Sequence, residues 1–98
     1  MVKSIIWSDE AEETFEAMVS YLQEQYSLKT ATKFADAVYD KIDILILYPD
    51  IGRPSTKNSS VKIVQIDKNV IMFYRFDGYE LLIVDFFNTR QDPKMRKY

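Results

Sequence analysis

The order of patterns along this chain predicts an α+β domain: an N-terminal strand, a two-helix antiparallel hairpin, then a three-stranded antiparallel meander, with the helices packed on one sheet face. Three observations carry this. Apolar residues recur twice at helical spacing before residue 48, and β-branched and aromatic runs bounded by turn residues follow after residue 60. With only two glycines and three prolines in 98 residues, short turns must join mostly regular elements. A chain of this length predicts one domain over residues 1–98, burying roughly two-thirds of its unfolded surface around a modest core.

Residues 2–7 have strand character. Ser8 or Asp9 then offers a helix N-cap, with Glu10, Glu12 and Glu13 where the helix dipole favours anions and Asp9–Glu12 at capping-box spacing. Ala11, Phe15, Met18, Val19, Leu22 and Tyr26 form one stripe, predicting a helix over about 9–26. Ser27 or Thr30 is placed to cap a second helix, whose stripe is Ala31, Phe34, Ala35, Val38, Ile42, Leu45 and Ile46. Tyr48-Pro49 ends it, because proline disfavours helical geometry in the residue before it. So short a connection makes the helices antiparallel neighbours.

Residues 49–60 are turn-rich and form the one extended loop. Gly52 within it is expected to serve turn geometry. Strands are predicted over 61–66, 70–76 and 79–87, separated by Asp67-Lys68-Asn69 and by the hairpin signal Asp77-Gly78. The first strand must join this sheet to bury Ile5 and Trp7. Residues 88–98 make a polar, basic tail.

Composition narrows the chemistry. Without cysteine there are no disulfides or thiolate metal sites, and without histidine the side chain best suited to proton transfer near neutral pH is missing. No metal or cofactor is expected, and catalysis would have to rest on carboxylates, Lys, Arg, Tyr or hydroxyls. The N-terminal apolar stretch is too short for a signal peptide, and no run of ~18 apolar residues could span a membrane, which makes the cytoplasm the expected compartment. The net charge of −2 argues against a dedicated nucleic-acid binder. Residues 1–48 nevertheless carry −5 and residues 49–98 carry +3, so an anionic partner would meet the second half.

The last two strands are richer in apolar groups than a sheet covered on one side requires. Val70, Met72, Tyr74 and Phe76 share one face, leaving Ile71, Phe73 and Arg75 on the other; strict alternation sets Leu81 and Ile83 against Leu82, Val84 and Phe86. Two readings follow. Loops and the tail bury the second face, or that face is a docking surface for an amphipathic helix or an added strand from another chain.

Several motifs, in order, resemble the RelE/ParE toxin superfamily over nearly the whole chain. They are Ile6-Trp7-Ser8 before Ala11, Pro49-Asp50-Ile51-Gly52-Arg53 after the second helix, Phe73-Tyr74-Arg75 in a strand, and Asn88-Thr89-Arg90-Gln91-Asp92-Pro93 after the last strand. The resemblance implies a toxin that inhibits growth until a cognate antitoxin covers its sheet in a hetero-oligomeric complex. Two activities share this fold: ParE-like members poison DNA gyrase, and RelE-like members resemble metal-independent ribonucleases that cut messenger RNA in the ribosome.

A RelE-like reading makes Arg90, Lys94, Arg96 and Tyr98 the catalytic candidates, with Arg90 at the family's arginine position. Arg90 and Arg96 would clamp a phosphate, and Tyr98 or Lys94 would move a proton. Against it, Ile71 stands where an arginine is expected, Arg75 lies further along the strand, and the basic residues around the first meander strand reduce to Lys57 and Lys62. A protein of pI ≈ 5.1 also meets the ribosomal phosphate field with self-repulsion. The residues therefore favour a ParE-like toxin whose antitoxin- or target-binding set is Arg53, Ile71, Phe73, Arg75 and Phe86. Composition alone also allows residues 90–98 to be a solvated tail, Arg53 to pair with Asp50, and Arg75 to pair with Glu80 or Asp85. A non-toxic protein-binding adaptor is the remaining class.

Overall fold

The computed structural model describes residues 2–98. The element order is β1 (Ser4–Trp7), α1 (Asp9–Gln25), α2 (Leu28–Leu47), β2 (Arg53–Pro54), β3 (Lys62–Gln65), β4 (Val70–Phe76) and β5 (Glu80–Asn88), followed by a single 3₁₀ turn at Pro93–Met95. The α+β architecture expected from the sequence is present, with the helix hairpin against one sheet face. The sheet has five strands, ordered β1-β5-β4-β3-β2. It is mixed: β3, β4 and β5 form the antiparallel meander, and β1 lies parallel to β5 with Ile5 opposite Leu81. The loop expected over 49–60 contains the two-residue β2, which pairs Arg53 with Ile63.

Both helices start on serine. The Ser8 hydroxyl accepts a hydrogen bond from the Ala11 amide (2.9 Å) and donates one to the Val84 carbonyl (2.6 Å), so one side chain caps α1 and ties it to β5. Ser8 being the cap, Ala11 occupies the third helical position, and the Asp9–Glu12 capping box is not formed. Ser27 caps α2 by accepting from the Thr30 amide at 3.0 Å. Tyr48 ends α2 in a non-helical conformation just before Pro49.

The main core lies between the helices and the sheet. Phe34, Val38, Ile42 and Leu45 of α2 pack on Met72, Tyr74, Leu81, Ile83 and Phe86, with Trp7 and Phe15 partly buried against them. Each fully buried aliphatic or aromatic side chain contributes about 1.5–3 kcal/mol through removal of its surface from water. Helix α1 sits shallower; its one fully buried residue is Ala11, and Tyr26 is an exposed C-cap rather than part of the stripe.

Strict alternation fails at one point. The β4–β5 register shifts between Phe73 and Tyr74, so that Phe73 faces Asp85 whereas Tyr74 faces Ile83. A bulge of this kind reverses side-chain parity beyond it. Phe86 thereby joins Leu81 and Ile83 under the helices, 3% exposed, instead of lying beside Val84 on the outer face. Its expected place on a docking surface is thus corrected.

The outer face does not stand open either. Ile71 and Phe73 are each 2% exposed, in a second cluster with Val61, Ile63 and Val84 that Leu82, Phe87 and Tyr98 border. Of the two readings of the apolar excess, burial by loop and tail is the one the fold realises. No described helix is long and apolar enough to cross a membrane.

Candidate functional site

Tyr74 organises the turn that carries Arg53. Its ring is fully buried, and its hydroxyl donates to the Pro49 carbonyl (2.8 Å) and accepts from the Gly52 amide (2.9 Å). This clasp explains the glycine of Pro-Asp-Ile-Gly-Arg. Gly52 does not adopt positive φ, as Gly78 alone does among the described residues. A Cβ at position 52 would instead lie 2.6 Å from the Tyr74 hydroxyl and 2.7 Å from its ring carbon Cε1. The residue is small because a ring presses on it, and the expected turn-geometry role is replaced by close approach. Spacing offers no sign of this, since the two residues are 22 positions apart.

Burial raises the Tyr74 pKa above the ordinary phenol value, with the Asp50 charge adding to it and the Gly52 hydrogen bond opposing it. A raised folded-state pKa means that the folded state holds this proton more tightly. The stabilisation is complete below pH 10.0, the unfolded value, and is lost as pH rises through the folded value. Urea melts from pH 9 to 11.5 should therefore show an alkaline loss of stability that is smaller in Tyr74→Phe. Equal slopes for the two proteins would refute the clasp's part in it.

Arg53 is exposed on β2. The pairing considered for it with Asp50 is not formed: among the described residues the one ion pair joins Lys97 to Glu10 at 3.1 Å. Arg75 forms neither suggested salt bridge. Its Nη2 donates to the Ser60 hydroxyl at 2.8 Å, fastening the end of β4 to the loop before β3. Arg53 and Arg75 remain accessible cations, whereas Ile71 and Phe73 lie beneath other residues.

The tail is more ordered than a solvated basic segment. The Asn88 carboxamide accepts from the Arg90 amide at 2.9 Å, and Asp92 caps the 3₁₀ turn by accepting from the Lys94 amide at 3.0 Å. The chain then crosses the outer sheet face. The Arg96 guanidinium sits 5.5 Å from the Phe73 ring centroid, and the Tyr98 ring packs on the same ring at 5.3 Å. Arg96 Nε donates to the Tyr98 carbonyl at 2.6 Å, and Lys57 Nζ donates to the Arg96 carbonyl. Lys97, its pKa raised by the hydrogen bond to Glu10, ties the tail to α1. Ser60 is the participant that sequence reasoning missed, and the roles of Lys57 and of Tyr74, a member of the Phe73-Tyr74-Arg75 motif, were not legible. All three act through contacts distant in sequence.

Of the four catalytic candidates, the fold brings Arg96 and Tyr98 together on Phe73. Arg90 and Lys94 are exposed, and their hydrogen bonds run through backbone amides. Among the described residues no group of three or more acidic, histidine or cysteine side chains is placed to hold a metal ion.

Over residues 5–93 the sequence matches the family described as the ParE toxin of the type II toxin-antitoxin system, parDE. Among solved structures, the chromosomal ParDE toxin–antitoxin system of P. aeruginosa superimposes with TM-score 0.75 at 18% identity, over 89% of this chain and 96% of that one. The YoeB/ParE toxin of Agrobacterium tumefaciens gives TM-score 0.65 at 14% identity, over 87% and 96%. The E. coli DinJ-YafQ complex gives 0.59 at 9% identity, over 90% and 94%. No curated protein sequence matches significantly. These structures share the fold of this chain and include toxins in complex with their antitoxins.

Proposed function

The chain belongs to the ParE toxin family of type II toxin–antitoxin systems, and from that premise we propose that it acts in the cytoplasm on DNA gyrase, without cutting RNA, until a cognate antitoxin binds it. The observation that carries this is that Arg96 and Tyr98 of the tail are engaged with Phe73 and with each other, not held ready for a phosphate. Metal-free cleavage of RNA needs a base for the 2′-hydroxyl, cations on the phosphorane and an acid for the leaving oxygen, all converging on one phosphate. Here Arg96 is held over Phe73 and bound to the Tyr98 carbonyl, while Arg90 and Lys94 stand exposed. Ile71, at the position where an arginine would complete the set, is buried in the outer cluster. The acidity of helix α1, which holds six carboxylates and no Lys or Arg, further disfavours a surface made for ribosomal phosphates.

Two regions support partner binding. Arg53, held out by the Tyr74 clasp, and Arg75, fastened to the loop before β3, present cations at the sheet margin to a target or an antitoxin. Ile71 and Phe73 would offer an apolar contact to an antitoxin segment only after the tail lifts. Phe86, inside the helix-side core, offers none.

Expression of the protein alone tests this reading. Growth arrest with trapped gyrase–DNA breaks and intact messengers is the expected result, relieved by co-expression of the product of an adjacent small reading frame. Prompt cleavage of messengers on ribosomes, lost in Arg90→Ala, would instead establish the RelE-like ribonuclease. Absence of any arrest would leave a binding module.

A further inference from the structure

Three aromatic side chains from three elements meet at the surface on the side of the helix hairpin. Trp7 comes from the end of β1, Phe15 from α1 and Tyr39 from α2. Their ring centroids are 5.2 Å apart for Trp7–Phe15, 6.0 Å for Phe15–Tyr39 and 6.1 Å for Trp7–Tyr39, at interplanar angles of 74°, 78° and 41°. With Glu12 and Glu16 they line a shallow recess of about 370 Å³. The two carboxylates are exposed and one helical turn apart, so they stand side by side at its mouth. Asp36 and Asp43, three before and four after Tyr39, share its side of α2 and deepen the negative potential.

Ring faces carry negative quadrupole potential, with tryptophan the strongest, so a recess of this composition attracts a cation. The chain does not supply one. Among the described residues the ring-stacked cation is Arg96 on Phe73, at the outer sheet face, and the ion pair is Lys97–Glu10. Among those residues neither Glu12 nor Glu16 has a basic partner, and α1 contributes no Lys or Arg of its own. Trp7 and Phe15 stay only partly buried and Tyr39 is 52% exposed, although the aromatic core continues directly beneath them through Phe34 and Phe86.

We propose that this recess binds an arginine side chain presented by a partner polypeptide, the antitoxin of the reading above. Only the partner's identity rests on that reading. Arginine fits better than lysine because a planar guanidinium lays its face on an aromatic ring while its fork reaches two neighbouring carboxylates; a compact, strongly hydrated ammonium does one or the other. A segment that answers the −5 of residues 1–48 must bring positive charge.

The test uses the full-length protein and Trp7, its single tryptophan, as reporter. N-acetyl-argininamide should produce a saturable shift of the Trp7 indole N–H resonance, N-acetyl-glutaminamide should not, and the Glu12→Gln/Glu16→Gln variant should bind about fivefold or more weakly. Both glutamates are exposed, so this variant keeps the fold. No saturation with argininamide, unchanged binding in the variant, or binding of tetramethylammonium in place of argininamide would each overturn the proposal. Affinity for the adjacent-frame antitoxin should also fall in the variant. If that antitoxin rescues growth but binds the variant unchanged, the recess proposal fails and the toxin reading stands. If argininamide titrates Trp7 while expression causes no arrest, the recess stands as an arginine site and the toxin reading fails.

Discussion

Gly52→Ala should cost about 2–4 kcal/mol, lowering the thermal midpoint by roughly 10–25 °C in a domain of this size. The added methyl group has nowhere to go: it would meet the Tyr74 hydroxyl at 2.6 Å, Tyr74 Cε1 at 2.7 Å and Lys62 Cβ at 3.0 Å. Either the buried ring shifts, straining the core it fills, or the turn backs away and breaks both hydrogen bonds of the Tyr74 hydroxyl. Adding Tyr74→Phe should not restore stability, because the ring carbon remains in the way. Gly78→Ala is the useful contrast. Gly78 has φ of +95°, and a methyl group there would have no heavy atom within 4 Å, so its loss of about 1–2 kcal/mol would be purely conformational. Urea denaturation of the three variants separates these causes. A Gly52→Ala protein within about 0.5 kcal/mol of the parent would eliminate the steric explanation, since an ordinary surface substitution falls in that range.

The second large effect is expected at the outer sheet face. Phe73→Ala should destabilise the chain by about 3–5 kcal/mol, as for other buried phenylalanines. It removes the centre of the Val61, Ile63, Ile71 and Val84 cluster together with the ring on which Arg96 and Tyr98 rest. Arg96→Ala should cost only about 0.5–1 kcal/mol, because it deletes a half-exposed cation–ring contact and leaves the cluster in place. Limited trypsin digestion supplies a second readout. Cleavage at Lys94 should accelerate strongly in Phe73→Ala and modestly in Arg96→Ala. If both variants melt with the parent, the tail does not rest on this face in solution.

These two sites also mark how far the functional surface was legible. The arginines at 53, 75, 90 and 96 are visible in the chain as cations within a basic second half, but their partners are not. Arg75 meets Ser60 across a loop, and Arg96 meets Phe73 from a tail whose path no periodicity announces. The aromatic recess is hidden for the same reason: Trp7, Phe15 and Tyr39 are spread over three elements, and only the docking of those elements brings their rings to a shared surface.

Local physics alone determined the two helices, the strands β1, β3, β4 and β5 in their order, the proline stop after α2, the hairpin turn at Asp77-Gly78 and the motif order that resembles the family, and it narrowed each helix cap to two residues, of which the fold uses Ser8 and Ser27. Each depends on residues a few positions apart, where spacing and side-chain chemistry act directly on the backbone. The tertiary structure decided the parallel placement of β1 beside β5, the bulge at Phe73/Tyr74 that turned Phe86 inward, the Tyr74 clasp that requires Gly52, and the tail that rests Arg96 and Tyr98 on Phe73. All of these arise between segments distant in the chain. Whether an apolar strand face meets helix, tail or solvent is settled by what else the fold brings against it, which alternation along a single strand does not encode.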